Sequence, residues 1–191
     1  MKKLVLSTLI AAVVAVPAAW AAPDKGADAP MFKAKASLNG KAFDYSLKDS
    51  IAKGPTVVYF YPSAYTGGCN AQAHAFAEDM DKFKAAGASV VGVSLDSIER
   101  LNDFSADPAY CAGKLPVASD ADGSIAKSYG LNVNPGREGA KDTRGIAIDH
   151  GFTSRTTFIV GKDGKIFETI SADGKMAPVD NVRSEEHTSE L

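Results

Sequence analysis

The chain has 191 residues, enough for one domain with trimmings. Hydrophobic residues make up 45% and charged residues 23%, ordinary proportions for a globular protein. A formal net charge of −2 gives no electrostatic reason for nucleic acid or an anionic membrane surface as a partner, and neither is expected.

The first residues read as a secretory signal peptide over residues 1–21. Lys2-Lys3 is a basic head, and Leu4 to Val16 is an apolar run too short to span a bilayer and stay there. Ala19-Trp20-Ala21 fits the small-x-small cleavage pattern, with the cut expected after Ala21. No cysteine lies near that site, so no lipid is expected there, and no membrane association after cleavage. The mature protein is expected in a bacterial periplasm. Residues 22–182 are expected to hold the domain, opening with a linker over 22–30. At the other end, Arg183 to Leu191 ("RSEEHTSEL") resembles the translation of a sequencing-library adapter. On that reading the tail 183–191 is not native, and "APVDNV" before it is the start of a truncated C-terminal helix.

Within the domain, Phe32, Ala34, Ala36 and Leu38 alternate with polar residues, as do Phe43, Tyr45 and Leu47. Asn39-Gly40 between two alternating runs predicts a β-hairpin, because both turn positions need positive φ. "TVVYFY" from Thr56 to Tyr61 is β-branched and aromatic throughout, which suits a strand buried on both faces. Phe76, Met80 and Phe83 follow at helical spacing, and Gly87 is a natural stop. "SVVGVSL" (Ser89–Leu95) is another apolar strand, so the three elements read as a βαβ unit with parallel strands. Ile98, Leu101 and Phe104 predict a second helix that Pro108 should end. "KLPVAS" reads as a short strand, and "DADGSIAKSYG" as a turn and a short helix. Residues 132–152, rich in glycine, read as a long surface loop. "RTTFIV", a Gly161–Gly164 turn and "KIFETI" close the domain as a hairpin. The order describes an α/β fold: a mixed central β-sheet flanked by helices, with an N-terminal β-hairpin.

The chemistry centres on "YPSAYTGGC", Tyr61 to Cys69. The chain has two cysteines, Cys69 and Cys111. Cys69 falls in the first turn of the predicted helix, where unpaired N–H groups and the positive end of the helix dipole favour a thiolate. Gly67 and Gly68 let the backbone approach a small ligand. Thr66 offers a hydroxyl three residues before the sulfur, and Pro62 can cover the thiol without adding a donor. Together these groups describe a pocket for a compact oxygen-containing molecule. His74, about 140° around the helix from Cys69, is expected at the surface. His150 falls in the long loop and His187 in the tail, so no ligand cluster forms and no metal or other cofactor is expected. Tyr59, Phe60 and Tyr65 are expected to be core and pocket wall.

Pro62, Thr66 and Cys69 match the P-x-x-x-T-x-x-C active-site motif of the peroxiredoxins. "SRTTFIVGKDGKI" (Ser154–Ile166) resembles the segment that carries that family's active-site arginine, here Arg155. The similarity extends over residues 26–178 and is greatest to the bacterioferritin-comigratory, or Q-type, branch. Gln72 stands where that branch often has Glu, and His74 replaces a second cysteine found in many members. The resemblance implies a thioredoxin-like fold and an antioxidant peroxidase acting on hydrogen peroxide or organic hydroperoxides. It implies Cys69 as the peroxidatic thiol, Arg155 and Thr66 holding the peroxide oxygens, and Cys111 as the resolving thiol that forms an intramolecular disulfide. A thioredoxin-like protein or another thiol would be the reductant, and the chain a monomer or weak homodimer. Two readings compete. One is a thioredoxin-like thiol–disulfide oxidoreductase, which needs C-x-x-C where this chain has Gln72. The other is a non-enzymatic domain with a structural Cys69–Cys111 disulfide.

Overall fold

A computed structural model describes residues 22–171; the predicted signal peptide and the C-terminal tail lie outside them. Nine strands and four helices follow one another along the described chain. Strands β1 (Lys33–Leu38) and β2 (Lys41–Ser46) form the expected hairpin, paired from Lys33↔Ser46 to Leu38↔Lys41. Its turn residues Asn39 and Gly40 have φ of 51° and 75°, as an Asn-Gly hairpin requires. Helix α1 (Leu47–Ile51) follows at once, capped by Ser46, whose hydroxyl accepts the Asp49 N–H. The alternating pattern that continues to Leu47 hides this short helix, because Leu47 is buried in either conformation.

Strand β3 (Thr56–Phe60), helix α2 (Gly67–Ala85) and strand β4 (Ser89–Ser94) are the βαβ unit, with β3 and β4 parallel. Helix α3 (Ile98–Ala106) starts on Ser97, which accepts the Arg100 N–H, and ends before Pro108. Strand β5 (Val117–Ser119) and helix α4 (Ser124–Ser128) come next. Strands β6 (Val133–Asn134) and β7 (Phe152–Thr153) pair antiparallel as a separate two-stranded ladder. Strands β8 (Thr156–Val160) and β9 (Ile166–Ser171) make the closing hairpin.

The main sheet has seven strands in the order β2-β1-β5-β4-β3-β8-β9. Strands β3, β4 and β5 run parallel, while β1 and β8 join them antiparallel. Helices cover both faces. Every residue of β3 is buried, and alternate residues serve opposite cores. Val57 and Tyr59 pack with Phe76 and Phe83 of α2 and with Leu101 and Phe104 of α3. Val58 and Phe60 pack with Leu47 and Ile51 of α1 and with Ala126 of α4 and Tyr129 just after it. Each such aromatic or aliphatic side chain contributes about 1.5–3 kcal/mol by leaving water. Gly92 of β4 lies opposite Tyr59, and a Cβ there would stand 2.6 Å from the tyrosine ring. The bare backbone lets Tyr59 lie flat, stacked on Tyr61 at 5.3 Å and Phe76 at 4.5 Å. This stack seats α2 against the end of β3, where the chain turns toward Cys69. Among the described residues no helix is long and apolar enough to cross a membrane.

Candidate active site

Cys69 is the third residue of α2, in the first turn as its sequence position predicts. The chain leaves β3 at Phe60, passes Pro62, half-buried, and enters the helix at Thr66 in extended conformation, φ −116° and ψ 146°. The Cys69 side chain is 2% exposed. Above it Gly67 and Gly68 are exposed, and a Cβ on Gly67 would meet no atom within 4 Å. A small molecule therefore has room over the helix N-terminus while the sulfur itself is sheltered.

Arg155 reaches the sulfur from the residue just before β8. Its Nη2 donates to Cys69 Sγ at 3.0 Å, and its Nη1 donates to Gln72 Oε1. Gln72 lies one helical turn after Cys69 and is fully buried. Its amide holds the guanidinium in place without neutralising it, as a carboxylate would. The cost is a buried Gln72 Nε2 with no hydrogen-bond partner among the described residues, about 1–3 kcal/mol. Thr66 donates its hydroxyl proton to the Ser63 carbonyl at 2.8 Å. That fixes the rotamer and leaves the oxygen lone pairs as acceptors.

The turn between β3 and α2 is strained and firmly held. Tyr65 has φ of 59°, a left-handed value costing a bulky residue about 1–3 kcal/mol. Both the N–H and the hydroxyl of Thr143 donate to the Tyr65 carbonyl at 2.9 Å. The Tyr65 ring meets Phe104 and Tyr110 edge-on, and the Arg144 guanidinium lies over its face, 3.2 Å from the centroid. Burial pushes the Tyr65 hydroxyl up to about 12, with the Arg144 charge pulling back only part of the rise. It stays protonated at neutral pH and serves as a wall.

A carboxylate at the end of β4 anchors the same turn. Asp96 is fully buried and accepts from Ala64 N, Ser63 Oγ, Ser94 Oγ, Arg100 Nε and His150 Nε2. Arg100 continues the network to the Ala64 carbonyl and to Asp142, which Arg144 also grips. The sequence alone does not show these residues acting together, because they come from four separate segments and no short motif joins them. The one visible signal is a charged Asp96 directly after the apolar run of β4.

Cys111 lies in the connection between α3 and β5, fully buried in the same apolar cluster as Cys69. Both thiols are free in this structure. Burial, reinforced by the charge of Asp107, pushes the Cys111 thiol far above its ordinary value. As placed, it is held in its protonated, unreactive form. The next two residues, Ala112 and Gly113, both have positive φ, 52° and 68°.

The remaining expectations have definite places. His74 is exposed and faces Glu78 at 3.5 Å, away from the sulfur. His150 is in the long loop, but half-buried against Asp96. The loop over 132–152 is largely exposed, yet its ends are pinned by the β6–β7 ladder and its tip by a Lys141↔Ala147 bridge. Among the described residues no group of three or more His, Cys, Asp or Glu could hold a metal ion.

Residues 25–169 match the AhpC/TSA family. A Mycobacterium tuberculosis protein that carries the peroxiredoxin name is 30% identical over 126 residues, covering 66% of this chain and 73% of that one. Peroxiredoxin Bcp of Escherichia coli K12 is 34% identical over 110 residues, covering 58% of this chain and 64% of the Bcp chain. The crystal structure of peroxidoxin BcpB from Mycobacterium tuberculosis superposes with a TM-score of 0.70 at 25% identity, covering 87% of this chain and 96% of that chain. Peroxiredoxin Q of Xanthomonas campestris superposes with a TM-score of 0.62 at 23% identity, covering 82% of this chain and 89% of that one, a likeness of fold. The thioredoxin-like fold and the thiol-dependent peroxidase chemistry implied by the sequence thus hold, and the chain belongs to the AhpC/TSA family, as a peroxiredoxin.

Proposed function

We propose that Cys69 is the thiol that reduces peroxide, with Arg155 and Thr66 binding the two oxygens and Cys111 regenerating the sulfur. The observation that carries this reading is the Arg155 guanidinium, 3.0 Å from Cys69 Sγ and anchored from behind by Gln72. In the first step the Cys69 thiolate attacks one peroxide oxygen. The S–O bond forms as the O–O bond breaks, giving Cys69 sulfenic acid and an alkoxide or hydroxide that takes up a proton. Arg155 shares its donors between the sulfur and the oxygen on which charge develops. Thr66, its own proton committed to Ser63, accepts the O–H of the incoming peroxide. Pro62 and the open space at Gly67 and Gly68 frame the entry. The peroxide is hydrogen peroxide or an organic hydroperoxide.

In the second step the Cys111 sulfur attacks the sulfenic acid, forming an intramolecular disulfide and releasing water. Buried and protonated as it is, Cys111 acts only after the segment around Ala112-Gly113 and the first turn of α2 open locally. A thioredoxin-like dithiol protein, or another thiol, then reduces the disulfide. We further propose that this takes place in the periplasm, supported by the basic head, apolar run and small-x-small site at the N-terminus.

Intact-mass measurement after one equivalent of peroxide tests the scheme. Wild type should lose two hydrogens, with peptide mapping placing the bond at Cys69–Cys111. Cys111→Ser should instead gain one oxygen at Cys69, react with peroxide at near-normal rate in the first turnover, and then stall with a dithiol protein donor. Normal turnover of Cys111→Ser with that donor would make Cys111 a bystander.

A further inference from the structure

We propose that Asp96 and His150 are positioning residues for peroxide attack: their ion pair pins the Ser63–Tyr65 turn, and through it sets Thr66 and the helical turn that carries Cys69. The proposal rests on the reading of Cys69 as the peroxide-reducing thiol.

Two of the donors on Asp96 come from the thiol loop itself. Ala64 N donates to Oδ2 at 2.8 Å and Ser63 Oγ to Oδ1 at 3.1 Å. The Ser63 carbonyl in turn receives the Thr66 hydroxyl proton. Moving Ser63 therefore rotates the one acceptor that Thr66 offers to peroxide. Between them stands Tyr65 in its left-handed conformation, which persists only while its surroundings over-determine it. Asp96 is the fixed point against which that turn is drawn.

His150 completes the fixing from the long loop. Its Nε2 lies 2.9 Å from Asp96 Oδ1, and its Nδ1 lies 2.7 Å from the Gly151 carbonyl oxygen. Both partners are acceptors, so both contacts are satisfied when both ring nitrogens carry protons, as in the imidazolium. The charged groups that face it are Asp96 from the end of β4 and Arg100 from α3, with Asp142 beyond Arg100 at 2.9 Å. Ser63 Oγ is also near, at 3.4 Å, and the Phe152 ring packs at 5.9 Å. Burial by itself pushes the imidazole down; the hydrogen bond and charge of Asp96 outweigh it and hold His150 above its ordinary value. The sign follows from that direction. The fastening is complete below the ordinary histidine range and is lost as pH rises through the raised folded-state value. Asp96, held low despite its burial by His150 and the backbone N–H of Ala64, stays ionised throughout.

The test compares wild type with His150→Gln and His150→Arg in single-turnover peroxide reaction, from about pH 5.5 to about pH 9. Taking each variant's rate as a ratio to wild type at the same pH cancels any pH dependence the two share. Glutamine can donate to Asp96 but carries no charge. His150→Gln should react about tenfold slower at the low end, since a small misplacement of reacting groups is costly, and converge on wild type at the high end. His150→Arg, charged at every pH, should match wild type at low pH and exceed it at high pH. A ratio for His150→Gln that is flat with pH, whether at one or below it, overturns the positioning role. Circular dichroism of each variant confirms that folded protein is being compared. Failure of wild type itself to react would strike the reading of Cys69 instead, so the two failures are distinguishable.

Discussion

Cys69→Ser should abolish peroxide reduction, down to about the uncatalysed rate. A serine hydroxyl is essentially un-ionised near neutral pH, and its oxygen is the poorer nucleophile toward an O–O bond. The substitution is close to isosteric, and the new hydroxyl can accept the Arg155 Nη2 that now points at the sulfur. The fold should therefore persist, with an unchanged far-UV spectrum, and the loss will report chemistry. Retention of even a tenth of wild-type peroxide consumption by Cys69→Ser would remove this cysteine from the reaction.

Arg155→Lys should lower kcat/KM by about 10²–10³, close to the effect of deleting a transition-state donor, although the charge is kept. The geometry gives the reason. Arg155 uses two different nitrogens of one rigid plane, Nη1 on Gln72 Oε1 and Nη2 on Cys69 Sγ. A lysine ammonium is a single point at the end of a flexible stem. It can approach the sulfur or the amide oxygen, and cannot be braced by one while stabilising oxygen beside the other. The loss should appear mainly in the rate of sulfenic acid formation, measured by stopped flow. A rate within threefold of wild type would show that charge alone suffices and that the Gln72 brace is incidental.

Much of this site is legible in the sequence. The period of 2 in the hairpin, the unbroken apolar runs of β3 and β4, and the 4-and-3 spacing in α2 each follow from which faces are buried. Cys69 at a helix start and Arg155 before a late strand were visible because short motifs mark them. What stayed hidden depends on separation along the chain. Asp96 meets Ala64 across 32 residues, and His150 across 54, with no periodic pattern to announce either. The long glycine-rich loop looked like an unstructured excursion, because its fastening uses Thr143, Arg144 and His150 singly. The sequence places a Thr66 hydroxyl near the sulfur without saying whether it donates or accepts; the structure shows its proton committed to Ser63. Gln72 looked like a departure from pattern, and its place shows the anchor it supplies to Arg155.

The wide separation of the groups around Cys69 also bears on when the thiol becomes reactive during the life of the chain. Its arginine comes 86 residues later, and the threonine that braces its turn 78 residues after Tyr65. A nascent chain that has emerged only as far as α3 holds Cys69 without either. In that state, on the proposed mechanism, it lacks the donor that stabilises the developing charge. On the proposed mechanism, full reactivity requires β8 paired beside β3 and the loop closed on Tyr65. On that proposal the topology itself delays the thiol's reaction with oxidant until its arginine is in place. In refolding from denaturant, recovery of peroxide consumption should coincide with the last phase of the far-UV signal; recovery in an earlier phase would show that the thiol needs less of the fold than its contacts indicate.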